Sequence, residues 1–222
     1  MEEAFRAGAR QFGENRVQEF LKKKPVLSPE IRWHLIGQLQ TNKVKLLLEN
    51  VGAGPCARPI LEHVHEGNHG GLPLLLHSLD RLALAEEIEK QAQKKNLTVD
   101  TLIQVNTTGE TTKSGFNPDQ VEDAVKEMGK MNRIQIKGLM TVGPTPDVGA
   151  GQPRGVAPTN QNQIRSCFRK LRLLRDELKT KFPKVDFQHL SMGMSSDFEI
   201  AIEEGATLVR IGTAVFGERS ED

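Results

Sequence analysis

Apolar and polar residues follow two rhythms along this chain, and the two rhythms take turns. Short apolar runs at 31–37 (Ile-Arg-Trp-His-Leu-Ile-Gly), 72–78, 98–105 and 134–140 have the length of strands. Between them, apolar positions three and four apart predict helices. These run from Val17 to Lys24, stopped by Pro25, from Asn42 to Glu49, and from Leu79 to Lys95 with Leu82, Leu84, Ala85, Ile88 and Ala92 on one face. Two more run from Pro118 to Met131, with proline in the first turn, and from Ile164 to Phe182, which is amphipathic and basic. A first helix over 2–7 stops at Gly8, and Gln11-Phe12-Gly13 is a very short strand or a turn. Strand and helix in alternation predict an α/β fold with a parallel sheet.

The chain's last stretch repeats the motif twice more. Phe187 to Leu190 reads as a strand broken by Ser191-Met192-Gly193-Met194-Ser195; Asp197 to Glu204 is a short helix closed by Gly205; Thr207 to Ile211 is a strand followed by Gly212-Thr213. Small residues after a strand let backbone N–H groups approach an anion. In a (β/α)8 barrel the phosphate site is commonly built from the loops after the last two strands, which is where these loops fall. A phosphate-bearing ligand fits this pattern; two ordinary strand-to-helix turns would read the same way. By itself, Arg210 reads as a surface or ion-paired strand arginine.

Two stretches interrupt the rhythm. Gly52 to Gly71 and Pro144 to Asn160 are rich in Gly, Pro and small or polar residues. Alternation resumes after each, so segments 52–76 and 144–160 are expected to be insertions within one domain spanning 1–222. Seven strands are counted, near 11, 31, 73, 99, 134, 187 and 207. A closed barrel of this class takes eight, and the chain opens on a helix. The expectation is therefore a (β/α)8 TIM barrel without its first strand, which would leave unpaired edges.

Charge and composition narrow the function. Thirty Lys and Arg against 29 Asp and Glu give a net charge of +1, so there is neither a basic field for nucleic acid nor an acidic tail. One Trp and no Tyr leave little for stacking on bases. Cys56 and Cys167 are far apart and lack metal spacing, as expected of a reduced, intracellular protein. No apolar run approaches the ~20 residues of a membrane span. The start, Met1-Glu2-Glu3-Ala4-Phe5-Arg6, is a charged helical segment and not a signal peptide. His63, His65 and His69 have a superficially metal-like spacing but no framework to orient them, and no metal is expected.

Six ordered motifs carry a family resemblance: Phe12-Gly13-Glu14-Asn15-Arg16-Val17-Gln18-Glu19, Trp33 through Lys43, His77-Ser78-Leu79-Asp80, Gly138-Leu139-Met140-Thr141, Leu190 through Phe198, and Val209 through Arg219. Together they resemble the pyridoxal phosphate homeostasis protein family over most of residues 4–51 and 77–219. The resemblance implies the alanine racemase N-terminal type of (β/α)8 barrel, binding pyridoxal 5′-phosphate (PLP) without established turnover. By resemblance, the phosphate would sit on Ser191, on the backbone after Met192 and Gly193, and on Gly212 and Thr213. Arg210 would face the pyridine nitrogen. An arginine cannot give up its proton, so the ring would stay a weak electron sink. Asn15 and His34 would line the pocket. A strand histidine can equally be a hydrogen-bonded core residue, although Trp33 and Gly37 beside it favour the pocket. Lys43 is as readily a solvated helix residue as a ligand contact, and Lys113 in its Gly-Glu-Thr-Thr-Lys-Ser-Gly loop reads as loop electrostatics.

The family's Schiff-base lysine, at the end of the first strand, would precede residue 1, so PLP is expected to be held by phosphate and ring contacts. Segment 52–76 departs from the family as well, and an aberrant gene model would explain both departures. The implied role is cytoplasmic PLP homeostasis, with PLP-dependent apo-enzymes as recipients, no nucleic acid or membrane partner, and a monomer or weak dimer. Any targeting peptide would precede Met1. The alternatives are an amino-acid racemase of the same fold, against which the absence of tyrosine counts, and a remnant that no longer binds PLP.

Overall fold

The computed structural model describes residues 1–51, 74–144 and 158–217. Among the described residues, seven strands lie in one sheet in chain order: β1 (Gln11–Glu14), β2 (Arg32–Leu35), β3 (Leu74–Leu79), β4 (Val99–Gln104), β5 (Ile134–Met140), β6 (His189–Met194) and β7 (Leu208–Arg210). Helix α1 (Glu2–Arg6) precedes them. The helices between and after them are α2 (Val17–Lys23), α3 (Val44–Val51), α4 (Leu82–Lys95), α5 (Val121–Met128), α6 (Pro158–Lys181), α7 (Phe198–Glu203) and the single turn α8 (Thr213–Phe216). The strand count and the alternation match the sequence expectation. The chain divides into two compact units, Met1–Thr101 with Asp123–Ile136, and Leu102–Glu122 with Lys137–Asp222.

In the first unit, β1, β2 and β3 pair in parallel, with Phe12 opposite Trp33, Gly13 opposite His34, and His34 opposite Leu75. Alternate residues follow the pleat: Phe12, Trp33, Leu35, Leu74 and Leu76 are buried in the core. Phe20 of α2 meets Trp33 edge-on, with ring centroids 5.3 Å apart. Helix α4 buries Leu84, Ala85, Ile88 and Ala92, the helical stripe read from the sequence, and ends on Asn96 in the left-handed region at φ 51°. The Glu89 carboxylate accepts the N–H groups of Asn132 and Arg133 at 3.0 and 2.8 Å, tying α4 to the entry of β5. Burial pushes the Glu14 carboxyl above its usual range, although Lys23 Nζ donates to it at 2.7 Å.

In the second unit, β5, β6 and β7 pair in parallel, and α6 buries Ile164, Cys167, Phe168, Leu171 and Leu178. Glu204, at the end of α7 and only 3% exposed, gathers Arg165, Arg169 and Arg172 from successive turns of α6 at 3.2, 2.8 and 3.3 Å. These arginines, Arg169 first, hold its carboxyl below the usual range. A carboxyl lowered on folding stabilises the fold above the ordinary carboxylate range, and that contribution is lost as pH falls through the folded value. Glu204→Gln should therefore lower stability at neutral pH by roughly 1–3 kcal/mol. Urea unfolding followed downward in pH should show the gap to wild type closing.

The larger boundary shifts from the sequence reading fall at β6, α6, β3 and α5. Strand β6 does not end at Leu190 but continues to Met194, because Ser191, Met192 and Gly193 are buried between neighbouring strands and tertiary pairing overrides their breaker character. Helix α6 starts at Pro158, before Ile164, since Gln161, Asn162 and Gln163 face solvent and carry no apolar signal. The expected insertion 144–160 thus ends in helix. Strand β3 takes in Leu74 to Leu76 from the expected insertion 52–76 and runs on to Leu79, so α4 opens at Leu82. Helix α5 stops at Met128, three residues early. His63, His65, His69 and Cys56 lie outside the described residues.

Candidate functional site

The residues singled out from the sequence fall into two groups, one in each unit. In the first unit they sit where β1 and β2 end. Asn15 follows β1 directly, and a Cβ on Gly37 would lie 2.2 Å from the Asn15 carbonyl oxygen, so the loops leaving the two strands pack backbone to backbone. Ser78 Oγ of β3 donates to the Gly37 carbonyl at 2.7 Å, which fixes the same turn from the other side. Half-buried His34 bonds through Nδ1 to Nε2 of His77 at 2.8 Å, with ring centroids 5.0 Å apart. His77 is 2% exposed. One ring donates and the other accepts, which ties β2 to β3 at this point. Gln38 Nε2 donates to Asp80 Oδ2 at 3.0 Å, and Arg81 holds the other Asp80 oxygen while reaching Thr41 Oγ1 at 2.9 Å. His77 and Asp80 both stand in the His77-Ser78-Leu79-Asp80 motif, and only the fold reveals their partners His34 and Gln38. Lys43 lies in the 3-10 turn Thr41–Lys43.

In the second unit the geometry centres on Arg210, the last residue of β7. Its Nη1 donates to Ser191 Oγ at 2.7 Å and its Nη2 to the Thr141 carbonyl at 2.8 Å. Ser191 is fully buried inside β6, so its hydroxyl orients the guanidinium. Thr141 is itself fixed, donating to the Val105 carbonyl at 2.8 Å and touching Thr107 Oγ1 at 2.9 Å. Thr107 Oγ1 in turn lies 2.7 Å from Cys167 Sγ, whose thiol burial pushes up. Burial also pushes the Arg210 guanidinium down to about 10, opposed by the negative charge of Asp197. A cation this desolvated marks a place where a ligand's lone pair or negative charge is welcome.

Met192 and Gly193 belong to the buried interior of β6. Gly193 has φ +92°, and a Cβ there would meet Ala201 Cβ at 2.5 Å, so this glycine lets α7 lie against the strand. The exposed N–H groups belong to the next turn. Ser195 Oγ accepts from Gly212 N–H at 3.2 Å and from Ala214 N–H at 3.4 Å, gathering the loop after β6 and the start of α8 around one hydroxyl. Gly212 caps α8 and Thr213 opens it, both exposed. Ser195, Thr141 and Asp197 stand within the motifs, where no local signal distinguishes them as site residues. For Ser195 the available signal was its place as the first residue beyond the strand, which requires knowing where β6 ends.

Lys113 bonds Glu110 Oε1 at 2.7 Å and the Gly143 carbonyl at 2.8 Å, fastening the polar loop after β4. No group of His, Cys, Asp and Glu suited to a metal occurs among the described residues. No helix among them is long and apolar enough to cross a membrane.

Residues 1–220 match the family model for the alanine racemase N-terminal domain. A pyridoxal phosphate homeostasis protein of Aquifex aeolicus is 44% identical over 98% of this chain and 80% of its own. Among solved structures, PipY of Synechococcus elongatus with PLP bound superposes with a TM-score of 0.74 at 31% identity, over 97% of this chain and 85% of its own. Alanine racemase of Clostridium difficile in complex with cycloserine gives a TM-score of 0.67 at 13% identity, over all of this chain and 50% of its own. The last likeness speaks to fold alone, and the fold is the alanine racemase type of (β/α) barrel expected from the sequence.

Proposed function

The chain belongs to the pyridoxal phosphate homeostasis protein family, and on that premise we propose that it binds PLP and serves intracellular vitamin B6 homeostasis as a holder of the cofactor, without turnover. The likeness over nearly the whole chain to a PLP-bound relative carries the reading. The second unit's residues suit the group. Ser195 Oγ with the Gly212 and Ala214 N–H groups offers hydrogen bonds to phosphate oxygens. Arg210 offers a permanent donor to the ring nitrogen, held by Ser191 and Thr141. PLP supplies an aldehyde and an electron-accepting ring; an arginine at the ring nitrogen keeps that ring unprotonated, which suits storage and delivery over carbanion chemistry. PLP-dependent apo-enzymes are the proposed recipients.

Titrating PLP into the purified chain and following absorbance tests the reading. Saturable binding, displaced by inorganic phosphate, is the expected result. Ser195→Ala should weaken it by about 3- to 10-fold through loss of one hydrogen bond to a charged group. Failure of the folded chain to bind PLP would overturn the reading. Racemisation of alanine above the rate of free PLP would favour a racemase instead, a reading that the absence of tyrosine disfavours.

A further inference from the structure

We infer that Asp197 is a positioning residue for the ring site: its carboxylate locks the strand residue paired with Arg210 and sets the opposite charge against which the guanidinium is held. This rests on the PLP reading above. Asp197 stands at the N-cap of α7, where an aspartate normally accepts an N–H from its own helix. Here it makes no such bond. Instead Oδ1 accepts the N–H of Met194 at 2.6 Å, and the Asp197 N–H returns a bond to the Met194 carbonyl at 3.1 Å. Met194 is the β6 residue paired with Arg210, after an irregularity in register between Ser191 and Met194. Asp197 therefore closes the turn that sets where β6 ends beside Arg210.

The carboxylate is kept in place at a cost. Asp197 is 5% exposed, and burial raises its carboxyl above the usual range although the Met194 N–H and Arg210 favour the ionised form. The backbone approaches it closely, for a Cβ on Gly143 would lie 3.0 Å from Oδ2. The groups that Arg210 hydrogen-bonds, a hydroxyl and a carbonyl, are both uncharged, while Asp197 is the charge acting on it. A buried carboxylate that forgoes its own helix to sit within the field of a half-buried arginine fits a site feature better than a capping device.

Asp197→Asn separates the two roles, since the amide oxygen can still accept from Met194 while the charge is gone. PLP binding should weaken by about tenfold, within the range of coupling inside one network. The melting temperature should hold or rise, because burial disfavours the ionised Asp197 in the folded chain by more than Met194 and Arg210 favour it. In an Arg210→Met background the same change should no longer affect PLP binding. Side-chain 15N NMR of the chain without ligand gives a reading independent of PLP: the Arg210 Nε–H signal should shift or exchange faster in Asp197→Asn. An unchanged Arg210 signal overturns the positioning role whatever PLP does. So does a lowered melting temperature with unchanged PLP affinity. Absence of PLP binding by the wild type, with the Arg210 signal still responding, would overturn the PLP reading and leave the Asp197–Arg210 coupling standing.

Discussion

Replacing Arg210 by methionine should weaken PLP binding by about 10- to 100-fold and leave the melting temperature unchanged or higher. The first half follows from losing a hydrogen bond to a charged donor, about 1.5–3 kcal/mol. The second follows from linkage. Desolvation pushes the half-buried guanidinium well below its ordinary value on folding, to about 10. A cation whose value is depressed on folding binds its proton more tightly in the unfolded chain. It therefore opposes folding throughout the range below about 10, by roughly 3 kcal/mol at about 1.4 kcal/mol per unit. Methionine removes that cost and fills similar volume, while Ser191 Oγ and the Thr141 carbonyl each lose a donor worth about 1 kcal/mol. The net is near zero or stabilising. A PLP titration and a thermal melt of the same preparation check it; wild-type affinity, or a melt well below wild type, would contradict it.

Gly193→Ala is expected to do the reverse, destabilising the fold by about 2–4 kcal/mol. Two costs add: an alanine at φ +92° is strained, and its methyl would press on Ala201 Cβ at 2.5 Å and Phe198 Cα at 3.1 Å. Neither neighbour has a flexible end that could move aside, so α7 itself must shift. The melting temperature should fall by roughly 5–15 °C for a chain of this size. Loss of PLP binding would then follow displacement of the Ser195 turn, and a melt within a degree of wild type would show that α7 yields easily.

Much of the fold is legible in the sequence because each core strand writes its own apolar run and each helix its own stripe, as α4 does with Leu84, Ala85, Ile88 and Ala92. The candidate site is legible only in part. The loops after the last two strands mark themselves by small residues, and Arg210 by the motif around it. What Ser191 does is not written locally. A serine after an apolar run reads as a strand exit, yet pairing with Met140 on one side and Leu208 on the other keeps it in the sheet. Gly193 admits a helix at close range, while Ser195, the first residue beyond the strand, meets the N–H groups of Gly212 and Ala214. Asp197 escapes for a related reason. Its position before a helix predicts a cap, and only the three-dimensional turn reveals a bond made backward to Met194.

The hydroxyl of Ser195 already occupies the two N–H groups offered by Gly212 and Ala214. An incoming phosphate would exchange one oxygen for another on donors that are already convergent, so little ordering of the chain accompanies capture and little unravelling accompanies release. The loop is self-templating: between one cargo and the next it rests on an internal surrogate. Such a cradle trades some affinity, because the serine must turn from accepting these N–H groups to donating to the phosphate, for fast and reversible loading.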